Sequence, residues 1–156
     1  MSRIISFAWT SPALQANAKT VTRREWDPDY ARQFKAGDLV QAWDKSPRVR
    51  GAKKIATIRL TAAPTYERDA DAPDSDYEAE GFPWLADNQH LLPASVRKQA
   101  RVTLSREYFD AWRRAGGSSW VVRFDLVELA TELGITGIER DAQGVPVALN
   151  IGRRLV

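Results

Sequence analysis

The chain predicts a mixed α+β barrel with short flanking helices, and three observations lead there. Ile55–Ala62 alternates Ile55, Thr57 and Arg59 against Ala56, Ile58 and Leu60, while Ser119–Val127 alternates Trp120, Val122, Phe124 and Leu126 against Val121, Arg123 and Asp125. A period of two is that of a strand with one buried face. Between them, Tyr108, Phe109 and Trp112 form one apolar stripe in a helix over Leu104–Ala115. Strands in the first half, and again after that helix, favour a mixed barrel over a parallel α/β sheet. A length of 156 residues suits a single domain with one core.

Taken in order, Arg3–Ala8 carries Ile4, Ile5 and Phe7 and reads as the first strand. Ser11-Pro12 offers a helix N-cap with proline at the first helical position, and the short helix Pro12–Ala16 stops at Asn17, which tolerates the left-handed conformation that closes helices. Lys19–Arg24 is a second strand. Alternation puts Thr20, Thr22 and Arg24 on one face and Val21 and Arg23 on the other, so Lys19 shares a site with Thr22 only if it belongs to the turn after Asn17. Arg23 then points outward, toward a salt bridge or a backbone contact. Asp27-Pro28 opens a helix to Phe34, and a turn at Gly37-Asp38 leads into a strand ending near Trp43. Pro64–Ser75 mixes acids, alanines and prolines without periodicity and reads as an exposed loop. Ser105 caps the helix Leu104–Ala115, Gly116-Gly117 ends it, and the C-terminal extension from about residue 134 reads as a hairpin turning at Ala142-Gln143-Gly144.

Composition narrows the function. Hydrophobic content is 44% and charged content 28%, ordinary for a globular protein. No apolar run approaches the ~20 residues of a membrane span, and the opening Met1-Ser2-Arg3-Ile4-Ile5-Ser6-Phe7 turns polar too soon for a signal peptide. The expectation is a cytoplasmic protein. With no cysteine and only His90, disulfides are excluded and a zinc site has no ligand set. No phosphate loop, dinucleotide fingerprint or nucleophile elbow occurs, so no cofactor and no metal are expected.

Net charge is only +3, but it is unevenly spread. Lys45, Arg48, Arg50, Lys53 and Lys54 crowd one segment, Arg97, Lys98, Arg101 and Arg106 another, and the acidic block Glu67–Glu80 lies between. The first segment is a candidate nucleic-acid contact, forming a basic face with the acids turned elsewhere. A solvated surface of mixed sign is the alternative. Oligomeric state is left open.

The densest polar stretch is Lys19-Thr20-Val21-Thr22-Arg23-Arg24, echoed downstream by Glu80-Gly81-Phe82. Such a run suits a pocket floor; an exposed edge strand and a solvated Glu80 are the plain alternatives. Together the two segments resemble the ASCH domain, a small β-barrel of the PUA-like superfamily of RNA-binding modules, over about Ile4 to Glu128. Relatives usually carry glycine where this chain has Asn17, a substitution the backbone tolerates. In relatives that deacylate N4-acetylcytidine, the matching lysine, threonine and glutamate form the active site. The resemblance therefore implies catalytic roles for Lys19, Thr22 and Glu80. A threonine hydroxyl needs a nearby base; a desolvated lysine near another cation can be that base; and a carboxylic acid can carry the proton to the leaving amine.

Arg24, on the face of Thr22, suits a phosphate or the carbonyl edge of a base. Trp112 and Trp120 fall on apolar faces and read as core. Trp9, Trp26, Trp43 and Trp84 lie at strand ends or in loops near the key motifs. A ring there can stack a nucleobase, worth ~1–3 kcal/mol, with rim packing as the alternative. Trp84, just past Glu80-Gly81-Phe82-Pro83, is the foremost stacking candidate, with Trp9 and Trp26 beside it. Three functions stay open: an amidohydrolase acting on a modified cytidine, a non-catalytic module binding RNA or a modified nucleoside, and a ribonuclease using Lys19, Arg24 and Glu80.

Overall fold

The computed structural model describes residues 3–130, and beyond them the backbone of 135–140 and 146–151. The architecture is mixed α+β: a curled, half-barrel sheet with several short helices. Strands β1 (Arg3–Ser6), β2 (Val21–Arg24), β3 (Leu39–Trp43), β4 (Lys54–Leu60), β5 (Thr65–Arg68) and β6 (Ser118–Leu129) form one sheet in the order β1-β3-β4-β6-β2, with β5 also paired to β6. β1 and β3 are parallel, and the other pairs antiparallel.

The long strand β6 organises this sheet. Its first half pairs with β2, from Val21↔Arg123 to Arg24↔Trp120, and with β5, from Thr65↔Val121 to Arg68↔Ser118. Its second half pairs with β4, from Leu60↔Phe124 to Ala56↔Leu129, across a register shift at Thr57/Ile58; such bulges increase local twist. The curl brings edge strand β2 toward β1, where Arg24 Nη2 donates to the Ser6 carbonyl at 2.7 Å. Inside sits a core of Phe7, Leu14, Phe34, Ile58, Leu60, Val122 and Phe124, each large apolar side chain contributing ~1.5–3 kcal/mol through its burial.

The alternation of Ile58 and Leu60 against exposed Arg59, and of Phe124 and Leu126 against exposed Asp125, follows the predicted faces. The first half of β6 departs from it, because Ser119, Trp120, Val121 and Val122 are all buried: both faces of the sheet are covered there.

Short helices supply the second layer. They are α1 (Ser11–Gln15), α2 (Pro28–Ala31), α3 (Asp76–Ala79), α4 (Phe82–Asp87), α5 (Ala94–Arg97), α6 (Ala100–Thr103) and α7 (Arg106–Arg114). Ala13, Leu85, Leu92, Ala100 and Leu104 make a compact apolar cluster among them. The Ser105 hydroxyl accepts from Tyr108 N at 3.1 Å and caps α7, and the Asp27 carboxylate caps α2, as their sequence positions predict.

Two expectations are corrected. The stretch read as loop from Pro64 contains β5, whose four residues are too few to show an alternating face but whose backbone completes the edge of β6. The helix read as lying on the outside, α7, turns Phe109 and Trp112 toward a cavity instead. Beyond residue 134, β7 (Ile135–Arg140) and β8 (Pro146–Ile151) pair antiparallel as a separate two-stranded sheet; the turn read at Ala142–Gly144 lies outside the described residues. Among the described residues no helix is long and apolar enough to cross a membrane.

Candidate functional site

Lys19 reaches the site because α1 ends abruptly. Asn17 takes a positive φ of 59°, the amide of Ala18 returns to the Ala13 carbonyl at 2.8 Å, and Thr20 N donates to Ala79 O at 2.8 Å. Lys19 thus lies in the turn before β2, pinned against the end of α3. Glu80 closes α3, its amide donating to Asp76 O at 2.9 Å. Gly81 then reverses the chain at φ +89°, where a Cβ would stand 2.8 Å from Ala13 Cβ and 3.3 Å from Lys19 Cβ. Only glycine fits both that left-handed backbone and that approach.

The two turns bring their side chains together. Lys19 Nζ donates to Glu80 Oε2 at 2.8 Å and to the Glu80 carbonyl at 3.2 Å, both side chains being buried. Glu80 Oε1 accepts from Arg23 Nη1 at 2.9 Å. The other arm of Arg23 meets Asp76, which also holds both Nη atoms of Arg123 at 2.9 Å. Asp76, only 1% exposed, is therefore the anchor of two guanidinium groups. Thr22 Oγ1 accepts from Arg24 Nε at 3.1 Å, which leaves the threonine proton free to be given away.

Burial, the strongest influence, pushes the Lys19 ammonium below its ordinary pKa; the Glu80 carboxylate pulls the other way, and Arg24 and Arg23 add to the lowering. For Asp76 burial opposes ionisation, but hydrogen bonds from Arg123 and Arg23 outweigh it and hold the carboxyl below the usual carboxylate range.

Lys19, Thr22, Arg23, Arg24 and Glu80 line one cavity of about 490 Å³, walled by Phe7, Trp9, Phe82, Tyr108, Phe109 and Trp112. Few polar groups converging within an aromatic wall is the usual build of a small-molecule site. Beyond Trp9 a second hollow of about 570 Å³ is lined by Asp44, Lys45, Ser46 and Leu91, and shares Ser6, Ala8 and Trp9 with the first.

Several predicted positions fall elsewhere. Arg23, read as pointing outward, is buried at the site, since both faces of β2 are covered and its charge is met from inside by Asp76 and Glu80. Its guanidinium lies 5.4 Å over the Trp112 ring. Trp26 does not line the cavity: it stacks on Phe34 at 4.7 Å against the main core. Trp84 does not line it either, because in α4 its ring turns onto the cluster around Leu85 and Leu104. Trp9 does line it, and so does Trp112, which reads as core in sequence.

Of the basic segment, Lys45 lines the second hollow, while Arg48, Arg50, Lys53 and Lys54 are exposed and line neither cavity. The acidic block does not turn wholly away, since Asp76 and Glu80 face inward. Tyr108 and Phe109 in the cavity wall, and Asp76 with Arg123 behind Arg23, have no site role in the sequence reading. The stripe Tyr108, Phe109 and Trp112 was the available signal, and it carries the same spacing whether it faces a core or a cavity. Among the described residues no three His, Cys, Asp or Glu side chains gather to hold a metal ion.

Fold and site together define an α+β half-barrel protein with a cationic, aromatic-walled cavity at the mouth of its sheet. Among solved structures it is similar to the crystal structure of protein EF3133 from Enterococcus faecalis V583, of the family DUF984, at 17% identity and a TM-score of 0.50, covering 85% of this chain and 84% of that one. The likeness is one of fold. No protein-family model matches the chain, and no curated protein does.

Proposed function

We propose that this chain is an ASCH-type, PUA-like domain that binds a modified nucleoside in the cavity of Lys19, Thr22 and Glu80 and hydrolyses an acyl amide of the N4-acetylcytidine kind. The observation that carries this reading is the buried Lys19–Glu80 pair, 2.8 Å apart, opening onto the same cavity as Thr22.

Transfer of one proton along that contact converts an ammonium and a carboxylate into a free amine and a carboxylic acid. The pair so supplies a base and an acid at once, and the lowered pKa of Lys19 makes the transfer less costly. Lys19 takes the Thr22 hydroxyl proton, Thr22 Oγ1 bonds to the acyl carbon, and the carbon–nitrogen bond breaks as Glu80 gives its proton to the departing amine. Water then cleaves the acyl-threonine ester, releasing acetate and restoring Thr22. Trp9 and Trp112 both line the cavity and supply aromatic surface that suits a flat base.

A second reading, a binding module for RNA or a modified nucleoside without chemistry, draws on a different observation. In the resting site Lys19 and Glu80 neutralise each other, and the exposed basic side chains from Arg48 to Lys54 suit a phosphate backbone.

Chromatography of N4-acetylcytidine incubated with the purified protein separates the two. Cytidine and acetate should appear; Lys19→Ala and Glu80→Ala should stop them; Thr22→Ser should keep part of the rate, and Thr22→Val none. Activity should hold while the Lys19–Glu80 pair keeps its one shared proton and fall at alkaline pH once Lys19 has lost it and Glu80 has none to give. A protein that binds the nucleoside yet turns over none at any pH would rule out the enzyme and leave the binding module.

A further inference from the structure

The charges at the cavity floor do not balance. In and behind it, four cations, Lys19, Arg23, Arg24 and Arg123, stand around only two carboxylates, Asp76 and Glu80. Lys19 and Arg23 pair with Glu80, and Arg23 and Arg123 with Asp76, so with Lys19 protonated the cluster keeps a net charge of +2 and three of its four cations touch a carboxylate. Arg24 is left over: among the described residues it has no ion-pair partner. Its contacts are the Ser6 carbonyl, the Thr22 hydroxyl and the face of the Phe7 ring at 5.3 Å, all neutral.

The Arg24 guanidinium gives up hydration for neutral hydrogen-bond partners, while the Glu80 carboxylate acts on it only through space and is already paired to Lys19 and Arg23; its planar fork suits an oxyanion. The neighbouring hollow differs, for there Asp44 stands beside Lys45.

We infer that Arg24 is the anion subsite of the cavity and that its ligand is a nucleoside monophosphate, with the phosphate on Arg24 and the base between the aromatic walls. This rests on the nucleoside reading above and narrows it: a free nucleoside leaves Arg24 unanswered, whereas a nucleotide supplies the missing negative charge. Arg24 is fixed in place before the ligand arrives, because Nε and Nη2 are already bonded to β2 and β1. The phosphate therefore meets a preorganised donor.

Calorimetric titration at low salt tests this with cytidine, its 5′- and 3′-monophosphates and inorganic phosphate, on the wild type, Arg24→Gln and Arg24→Lys. One monophosphate should bind at least about tenfold more tightly than cytidine, as a charge-assisted contact implies. Arg24→Gln should remove that advantage and Arg24→Lys keep part of it. Inorganic phosphate should bind the wild type and not Arg24→Gln. Measurable and equal affinity for cytidine and both monophosphates overturns the proposal on the wild type alone, even if a variant fails to fold. So does phosphate binding that Arg24→Gln leaves unchanged. If no cytidine compound binds, the nucleoside reading fails, and the inorganic phosphate titration alone decides the role of Arg24.

Discussion

Gly81→Ala is the sharpest probe of how the site is assembled. Gly81 occupies the left-handed region at φ +89°, where an L side chain costs ~1–2 kcal/mol. The added methyl would also stand 2.8 Å from Ala13 Cβ, closer than real Cβ atoms approach, and 3.3 Å from Lys19 Cβ. Ala13 is fully buried in α1 and cannot swing aside as a long side chain would, so overpacking adds ~1–3 kcal/mol. Stiffening of the unfolded chain returns ~0.4–1 kcal/mol, and the net loss should be about 3 kcal/mol.

The natural control is Gly37→Ala, at φ +86° with nothing within 4 Å of the added carbon; it carries the backbone penalty alone and should cost about 1 kcal/mol. Urea unfolding followed by tryptophan fluorescence measures both. With a slope of ~2 kcal/mol per molar urea, the midpoint should fall by about 1.5 M for Gly81→Ala and about 0.5 M for Gly37→Ala. Equal shifts would refute the claim that α1 and the Glu80 turn are pressed together, and with it the account of how Lys19 and Glu80 are held in register.

Asp76→Asn should destabilise by ~3 kcal/mol, because it strips the buried counter-charge from Arg23 while Arg123 is better able to reach water. Since the folded carboxyl is held below the ordinary 3.8, its contribution is present above that pH and lost as pH falls toward the folded value. Acid denaturation below pH ~4 should accordingly be shallower in Asp76→Asn than in wild type, and parallel curves would argue against it. Lys19 has the same sign at the opposite end. Folded Lys19 loses its proton more easily than the unfolded group at 10.5, so the unfolded chain binds more protons in that window and stability rises with pH there. Wild type should gain on Lys19→Met as pH is raised toward 10.5 in urea titrations; a constant difference would count against a buried, uneasily charged lysine.

The features legible in the sequence were those long enough to show a period. β4, β6 and α7 each span seven or more residues, and all three exist as the pattern predicts, with the expected faces in β4 from Ile58 and in the second half of β6. From Asp76 to Thr103 the chain forms helices of only four to six residues, one turn or little more, too short for a 3.6-residue period to emerge. Trp84 was misplaced for that reason, being read in a loop when it rides on α4. Arg23 was misplaced because alternation assigns faces but does not say that both faces of a strand are covered. That Lys19 and Glu80 meet could not be read from their types or spacing, since 61 positions separate them and two left-handed turns, at Asn17 and Gly81, bring them together.

One strand, β6, binds β2, β4 and β5, and it is the last segment of the main sheet to be synthesised. While the ribosome is still making residues 25 to 117, β2 has no strand to pair with. Closing β2 onto β6 spans roughly a hundred residues of chain, a long-range pairing of the kind that folds in milliseconds to seconds rather than microseconds. The nascent protein therefore spends most of its synthesis with unpaired strand edges, the condition in which growing chains aggregate or recruit chaperones. Cellular yield should be governed by the residues that speed β6 docking more than by those that stabilise the finished cavity.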